Sequence, residues 1–112
     1  AKGMDDAVSQ IEKLGGVVRR MSSGDGLDVD LAPCGELLTN DHLQYLLQLK
    51  EVSVLRLKET AITDTGLAHV AKLKSLKRLY LEKTNITDKG LTHLIALPEL
   101  DYLNLYGTQV TD

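Results

Sequence analysis

VSVLRLKETAITDTGLAHVAKLKS (52–75), LKRLYLEKTNITDKGLTHLIALPE (76–99) and LDYLNLYGTQVTD (100–112) are one pattern written three times, with the last copy shorter. Superposed at a spacing of 24, Val52, Leu55, Leu57, Ile62, Leu67, Val70 and Leu73 recur as Leu76, Leu79, Leu81, Ile86, Leu91, Leu94 and Leu97; the third copy supplies Leu100, Leu103, Leu105 and Val110. The period changes inside each copy. Leu55-x-Leu57 and Leu79-x-Leu81 alternate as a strand does, whereas Leu67, Val70, Leu73 and Leu91, Leu94, Leu97 step by three along one helical face. Each unit therefore reads as a short strand, a turn and a short helix. No such unit buries its apolar side alone, so neighbours must stack.

The link between strand and helix recurs as Thr60-x-Ile62-Thr63-Asp64-x-Gly66 and Thr84-x-Ile86-Thr87-Asp88-x-Gly90. Asp64 and Asp88 are expected to cap the helices they open, since a short side-chain oxygen there accepts an otherwise unpaired backbone N–H. Thr63 and Thr87, one residue earlier, can do the same. Thr60, Thr84 and Thr108 form a further column, expected to point inward and bond the neighbouring turns.

The composite L-x-x-L-x-L-x-x-T-x-I-T-D-x-G-L-x-x-L resembles the leucine-rich repeat, with Thr60, Thr84 and Thr108 where many members carry Asn or Cys. The Thr-Asp-x-Gly-Leu phrasing is most similar to repeats of planctomycete bacteria. LNLYGTQVTD and LKRLYLEKTNITDKGL resemble the repeat domains that follow a c-type cytochrome domain in such proteins. The resemblance covers about two thirds of the chain. It implies an α/β, right-handed solenoid, a horseshoe with a concave parallel β-sheet and convex helices.

Upstream the pattern weakens. Leu27 to Leu31 reads as a strand, and Leu38-Thr39-Asn40-Asp41-His42-Leu43, continuing to Leu46 and Leu49, follows the turn-then-helix order. Between them Ala32-Pro33-Cys34-Gly35-Glu36 is two residues longer than its later counterparts, and Cys34 falls on the Thr60 column. His42 stands where the next unit has Gly66. Residues 27–51 are thus an irregular first repeat, followed by 52–75, 76–99 and a partial 100–112. Residues 1–26 are expected to form an N-terminal cap of helix plus strand. Asp5 or Asp6 opens the helix, Ala7, Val8, Ile11 and Leu14 share its face, and Gly15-Gly16 ends it. Val17 to Met21 reads as a strand, and Ser22-Ser23-Gly24-Asp25-Gly26 as a turn. The other end has no such cover: the sequence stops at Asp112, after the third Thr-Asp and before any helix, so an exposed strand edge and an open core are expected there. The expectation is a fragment of a longer protein, with self-association the alternative.

With 112 residues the chain is one small domain. Its aromatics are four Tyr, so the core is aliphatic. A net charge of −3 argues against a general nucleic-acid binder. No apolar run approaches a membrane span, so no membrane insertion is expected in this segment. One Cys excludes an internal disulfide. The compartment stays open; an extracytoplasmic, periplasmic location is implied by the resemblance alone.

Motifs that carry chemistry are missing. The chain has no Cys-x-x-Cys-His for covalent haem, no phosphate-binding glycine loop and no His-Glu-x-x-His for zinc. Cys34 reads as a buried structural thiol rather than a nucleophile served by His42. His69 and His93 share a helix position one repeat apart. Helices packed about 8–10 Å apart do not let them share one metal ion at bonds of about 2 Å, so both are expected on the solvated convex side. Pro98 ends a helix, and Gly107 turns the chain after a strand. No catalytic residues, metal site or cofactor are expected, and the chain reads as a non-enzyme.

Function must then lie in what the ladder leaves over. Residues flanking the inward leucines point to the opposite face of the sheet, in the columns Val54, Arg78, Tyr102; Arg56, Tyr80, Asn104; and Lys58, Glu82, Tyr106. Tyr and Arg are enriched at binding hot spots. The candidate binding residues are therefore Arg56, Lys58, Arg78, Tyr80, Glu82, Tyr102, Asn104 and Tyr106, forming a concave protein-binding face. The alternative is a structural spacer or accessory domain of an extracytoplasmic c-type cytochrome protein, with a haem domain elsewhere in the parent chain. The partner's identity is not written in the sequence.

Overall fold

The computed structural model describes residues 2–24 and 26–111. Helix α1 (Lys2–Lys13) leads into β1 (Val17–Arg20) and β2 (Leu27–Asp30), followed by two 3₁₀ segments (Ala32–Leu37 and Asn40–Gln48). Then come β3 (Val52–Arg56), α2 (Asp64–Val70), β4 (Arg78–Tyr80), α3 (Asp88–Leu94) and β5 (Tyr102–Asn104). The strands form one five-stranded sheet in the order β1-β2-β3-β4-β5. Strand β1 runs antiparallel to β2, and every later pair is parallel. This is an α/β fold with a mostly parallel sheet. Parallel neighbours need a crossover between them, which the 3₁₀ segments, α2 and α3 provide.

Strand pairing follows the sequence spacing. Leu55 pairs with Leu79 and Leu79 with Leu103. Leu55, Leu57, Leu79 and Leu81 are wholly buried and join Ile62, Leu67, Val70 and Ile86 in a single aliphatic core. Burial fades along the chain: Leu91, Leu100, Leu103, Leu105 and Val110 are only partly covered, although their counterparts one unit earlier are wholly buried. At the other end α1 packs Ala7 and Ile11 into the same core. It closes at Gly15 (φ +103), where the Gly15 and Gly16 amides donate to the carbonyls of Glu12 and Ile11.

Four expectations need correction. Helix α1 opens at Lys2, so Asp5 lies in its first turn rather than capping it. The first repeat has 3₁₀ turns in place of an α-helix; a spacing of three at Leu43, Leu46 and Leu49 is also the period of a 3₁₀ helix. The two extra residues are absorbed in Ala32–Leu37, which kinks at Gly35. The Thr60, Thr84 and Thr108 hydroxyls donate to Leu57, Leu81 and Leu105, three residues back in their own turns, not to neighbouring turns. The expected 22–26 turn includes Asp25, outside the described residues; beside it the Met21 amide donates to the Gly26 carbonyl.

The fourth correction concerns Asp64 and Asp88. They do not cap their own helices; the cap position is Thr63 and Thr87. The Asp64 carboxylate instead accepts from the Thr87 amide (2.8 Å) and hydroxyl. Asp88 takes the Thr111 amide and hydroxyl in the same way, at 2.8 and 2.6 Å. One unit earlier, Asn40 accepts from the Thr63 amide through Oδ1 and donates to the Thr63 hydroxyl through Nδ2. These clasps tie each unit to the next. They also explain the glycine two residues after Asp64 and Asp88: a Cβ on Gly66 would lie 2.5 Å from Asn40 Oδ1 and 2.9 Å from Leu43 Cδ1.

The Thr111 hydroxyl and amide hold the Asp88 carboxyl below its ordinary value of 3.8. A carboxyl depressed by folding contributes stability that is present above the unfolded pKa and lost as pH falls through the folded one. In an NMR carboxyl titration Asp88 should therefore show a midpoint below 3.8, and Thr111→Val should move it back up. An unchanged midpoint in the variant would show that the clasp does not hold the charge.

Candidate functional site

The face of the sheet opposite the leucines is built by alternation. Across it Asp28 pairs with Val54, Val54 with Arg78 and Arg78 with Tyr102. One row on, Asp30 pairs with Arg56, Arg56 with Tyr80 and Tyr80 with Asn104. Lys58, Glu82 and Tyr106 follow just beyond the strands, where backbone bonds from Glu59 to Glu82 and from Lys83 to Tyr106 continue the ladder.

Side-chain contacts run unbroken across four strands. Arg56 grips Asp28 through two parallel hydrogen bonds, Nε to Oδ1 and Nη2 to Oδ2, both 3.1 Å. Its guanidinium lies 4.8 Å from the centre of the Tyr80 ring. Tyr80 in turn lies 5.1 Å from Tyr102 at a tilt of 44°. Beyond Tyr102, the Asn104 side chain accepts from the Tyr106 amide at 3.0 Å. The hydrogen bond to Asp28 raises the Arg56 pKa further, so this cation is permanent. Each side chain of the run touches the next, and such contacts reduce the side-chain freedom to be lost on binding.

The remaining candidates stand around this run. Lys58 and Arg78 are exposed, as are Tyr102 and, at 73 %, Tyr106. Glu82 is half-buried, and its Oε1 has no hydrogen-bond partner among the described residues. Val54 departs from the expectation of an exposed strand residue. It is only 4 % exposed, at the floor of a depression of about 270 Å³ that Met21, Lys77 and Arg78 also line. Sequence reasoning missed Met21, Asp28, Ser53, Lys77 and Asp101, which also line this depression. Alternation carried back one strand to Leu27–Asp30 identifies Asp28; Met21 was expected to end a strand that stops at Arg20, and Lys77 lies just before β4, where periodicity is silent.

Other reactive groups stand apart from this face. Cys34 is buried, and its thiol is pushed up by burial and by the nearby Asp30 charge. His42 is occupied at its own helix start, where Nδ1 accepts from the Thr39 amide and the ring stacks on Tyr45. His69 and His93 are half-buried on α2 and α3 rather than fully solvated, because these short helices pack side by side. Among the described residues no group of three or more His, Cys, Asp and Glu is placed to hold a metal ion. Nor is any described helix long and apolar enough to cross a membrane. A scan against family models and a search of curated proteins both return no match.

Proposed function

We propose that this chain is a non-enzymatic interaction module of the leucine-rich-repeat type, whose open sheet face is the concave side of a right-handed horseshoe and binds another protein. The observation that carries this reading is the Asp28–Arg56–Tyr80–Tyr102 run. Large aromatic and guanidinium surfaces, held in place before a partner arrives, have the composition and rigidity of a binding hot spot. Stacked units at a spacing of 24 and buried leucine columns support the repeat assignment. On five short strands the contact area falls below the ~800 Å² per partner of a standard interface, so the affinity expected of this segment is modest.

Simultaneous Arg78→Ala, Tyr80→Ala and Tyr102→Ala replacement tests it. The triple variant should keep its far-UV circular dichroism while partner recovery from an extract of the source cells, quantified by mass spectrometry, falls at least tenfold. Undiminished recovery with the fold intact would leave the spacer reading in its place.

A further inference from the structure

We infer that the segment held on this face is acidic, and that one of its carboxylates seats between Lys77 and Arg78 in the depression beside β3. This rests on the open sheet face being a protein-binding surface. Three cations line the depression, and one is already spent: Arg56 is bound bidentately by Asp28. Lys77 and Arg78 make no ion pair among the described residues, in which Arg56–Asp28 is the salt bridge found. Against them stands Asp101, an exposed carboxylate. A guest carboxylate therefore meets two unspent positive charges against one unspent negative charge, a balance that favours an anion. Complementarity of this kind fixes register and excludes wrong partners.

Shape agrees with charge. A volume of about 270 Å³ has room for an acidic side chain and lies at the small end of the roughly 300–1,000 Å³ typical of ligand sites. Val54 and Met21 supply an apolar base for the methylene stem of a Glu or Asp. Arg78 pairs in register with Tyr102, so the residues flanking the bound acid lie against the tyrosine pair. The guest is thus an extended acidic peptide with an apolar or aromatic neighbour to its carboxylate.

A random 12-residue peptide display library selected against the whole chain provides the test. Selected peptides should be enriched in Asp or Glu at one position. Resynthesised, they should bind at least tenfold more weakly to Lys77→Ala/Arg78→Ala and to Arg78→Glu, and more weakly in high salt. Matched melting temperatures ensure that lost binding is not lost folding. Peptides without an acidic preference that still lose binding on Tyr80→Ala would overturn the acidic partner and leave the binding face standing. Peptides indifferent to both sets of substitutions would remove the face as well. Selection of basic peptides, or failure to enrich any, overturns the inference.

Discussion

Replacing Gly66 by Ala is expected to lower stability by about 2–3 kcal/mol, although the same change in an ordinary helix interior raises it by about 0.5–1 kcal/mol. The reversed sign comes from the neighbouring unit. The new Cβ would lie 2.5 Å from Asn40 Oδ1 and 2.9 Å from Leu43 Cδ1, inside normal contact distance. Overpacking of this kind costs roughly 1–3 kcal/mol. Asn40 cannot retreat freely, because Oδ1 holds the Thr63 amide and Nδ2 the Thr63 hydroxyl. Moving it leaves a half-buried amide short of a partner, about 1 kcal/mol more. For a domain of this size the melting temperature should drop by roughly 10–20 °C, read by calorimetry. Thr65→Ala, an exposed position one residue earlier in α2, should change little. Gly66→Ala melting at or above the parent would refute the close packing at the clasp.

The second large effect separates two leucines that share one column. Leu79 is wholly buried between its counterparts on β3 and β5, and Leu79→Ala should cost about 2–5 kcal/mol. Leu103 occupies the same place one unit later but is only partly covered. Its truncation removes fewer contacts and leaves a site open to water rather than a sealed cavity, so about 1 kcal/mol is expected. Urea midpoints of the two variants measure the difference at constant slope. Equal losses would mean that the apolar side of the last unit is as well covered in solution as that of the unit before it.

The strand columns were legible because alternation is strict: once Leu55-x-Leu57 faces the core, Arg56 must face away. Arg56, Tyr80 and Asn104 accordingly share one row of the sheet. The clasps were not legible in the same way. An Asp at a helix start reads as that helix's own cap, while the group Asp64 binds lies 23 residues further along and comes near only when the units are side by side. A clue was present in the glycine that follows each Asp by two residues, for which a cap has no use. The polar run across the face was legible in composition but not in contact. That Arg56 would be spent on Asp28, leaving Lys77 and Arg78 as the unspent charges, depends on rotamers that no periodicity records.

The clasp is also indifferent to which unit it meets. Asn40, Asp64 and Asp88 each accept from the amide of a Thr and hydrogen-bond its hydroxyl, which accepts from Asn40 and donates to Asp64 and Asp88. Excising one 24-residue unit would bring Asn40 to Thr87 with no hydrogen bond orphaned and no leucine out of register. Duplicating one would do the same. A change of length by one whole unit is therefore expected to leave every joint closed.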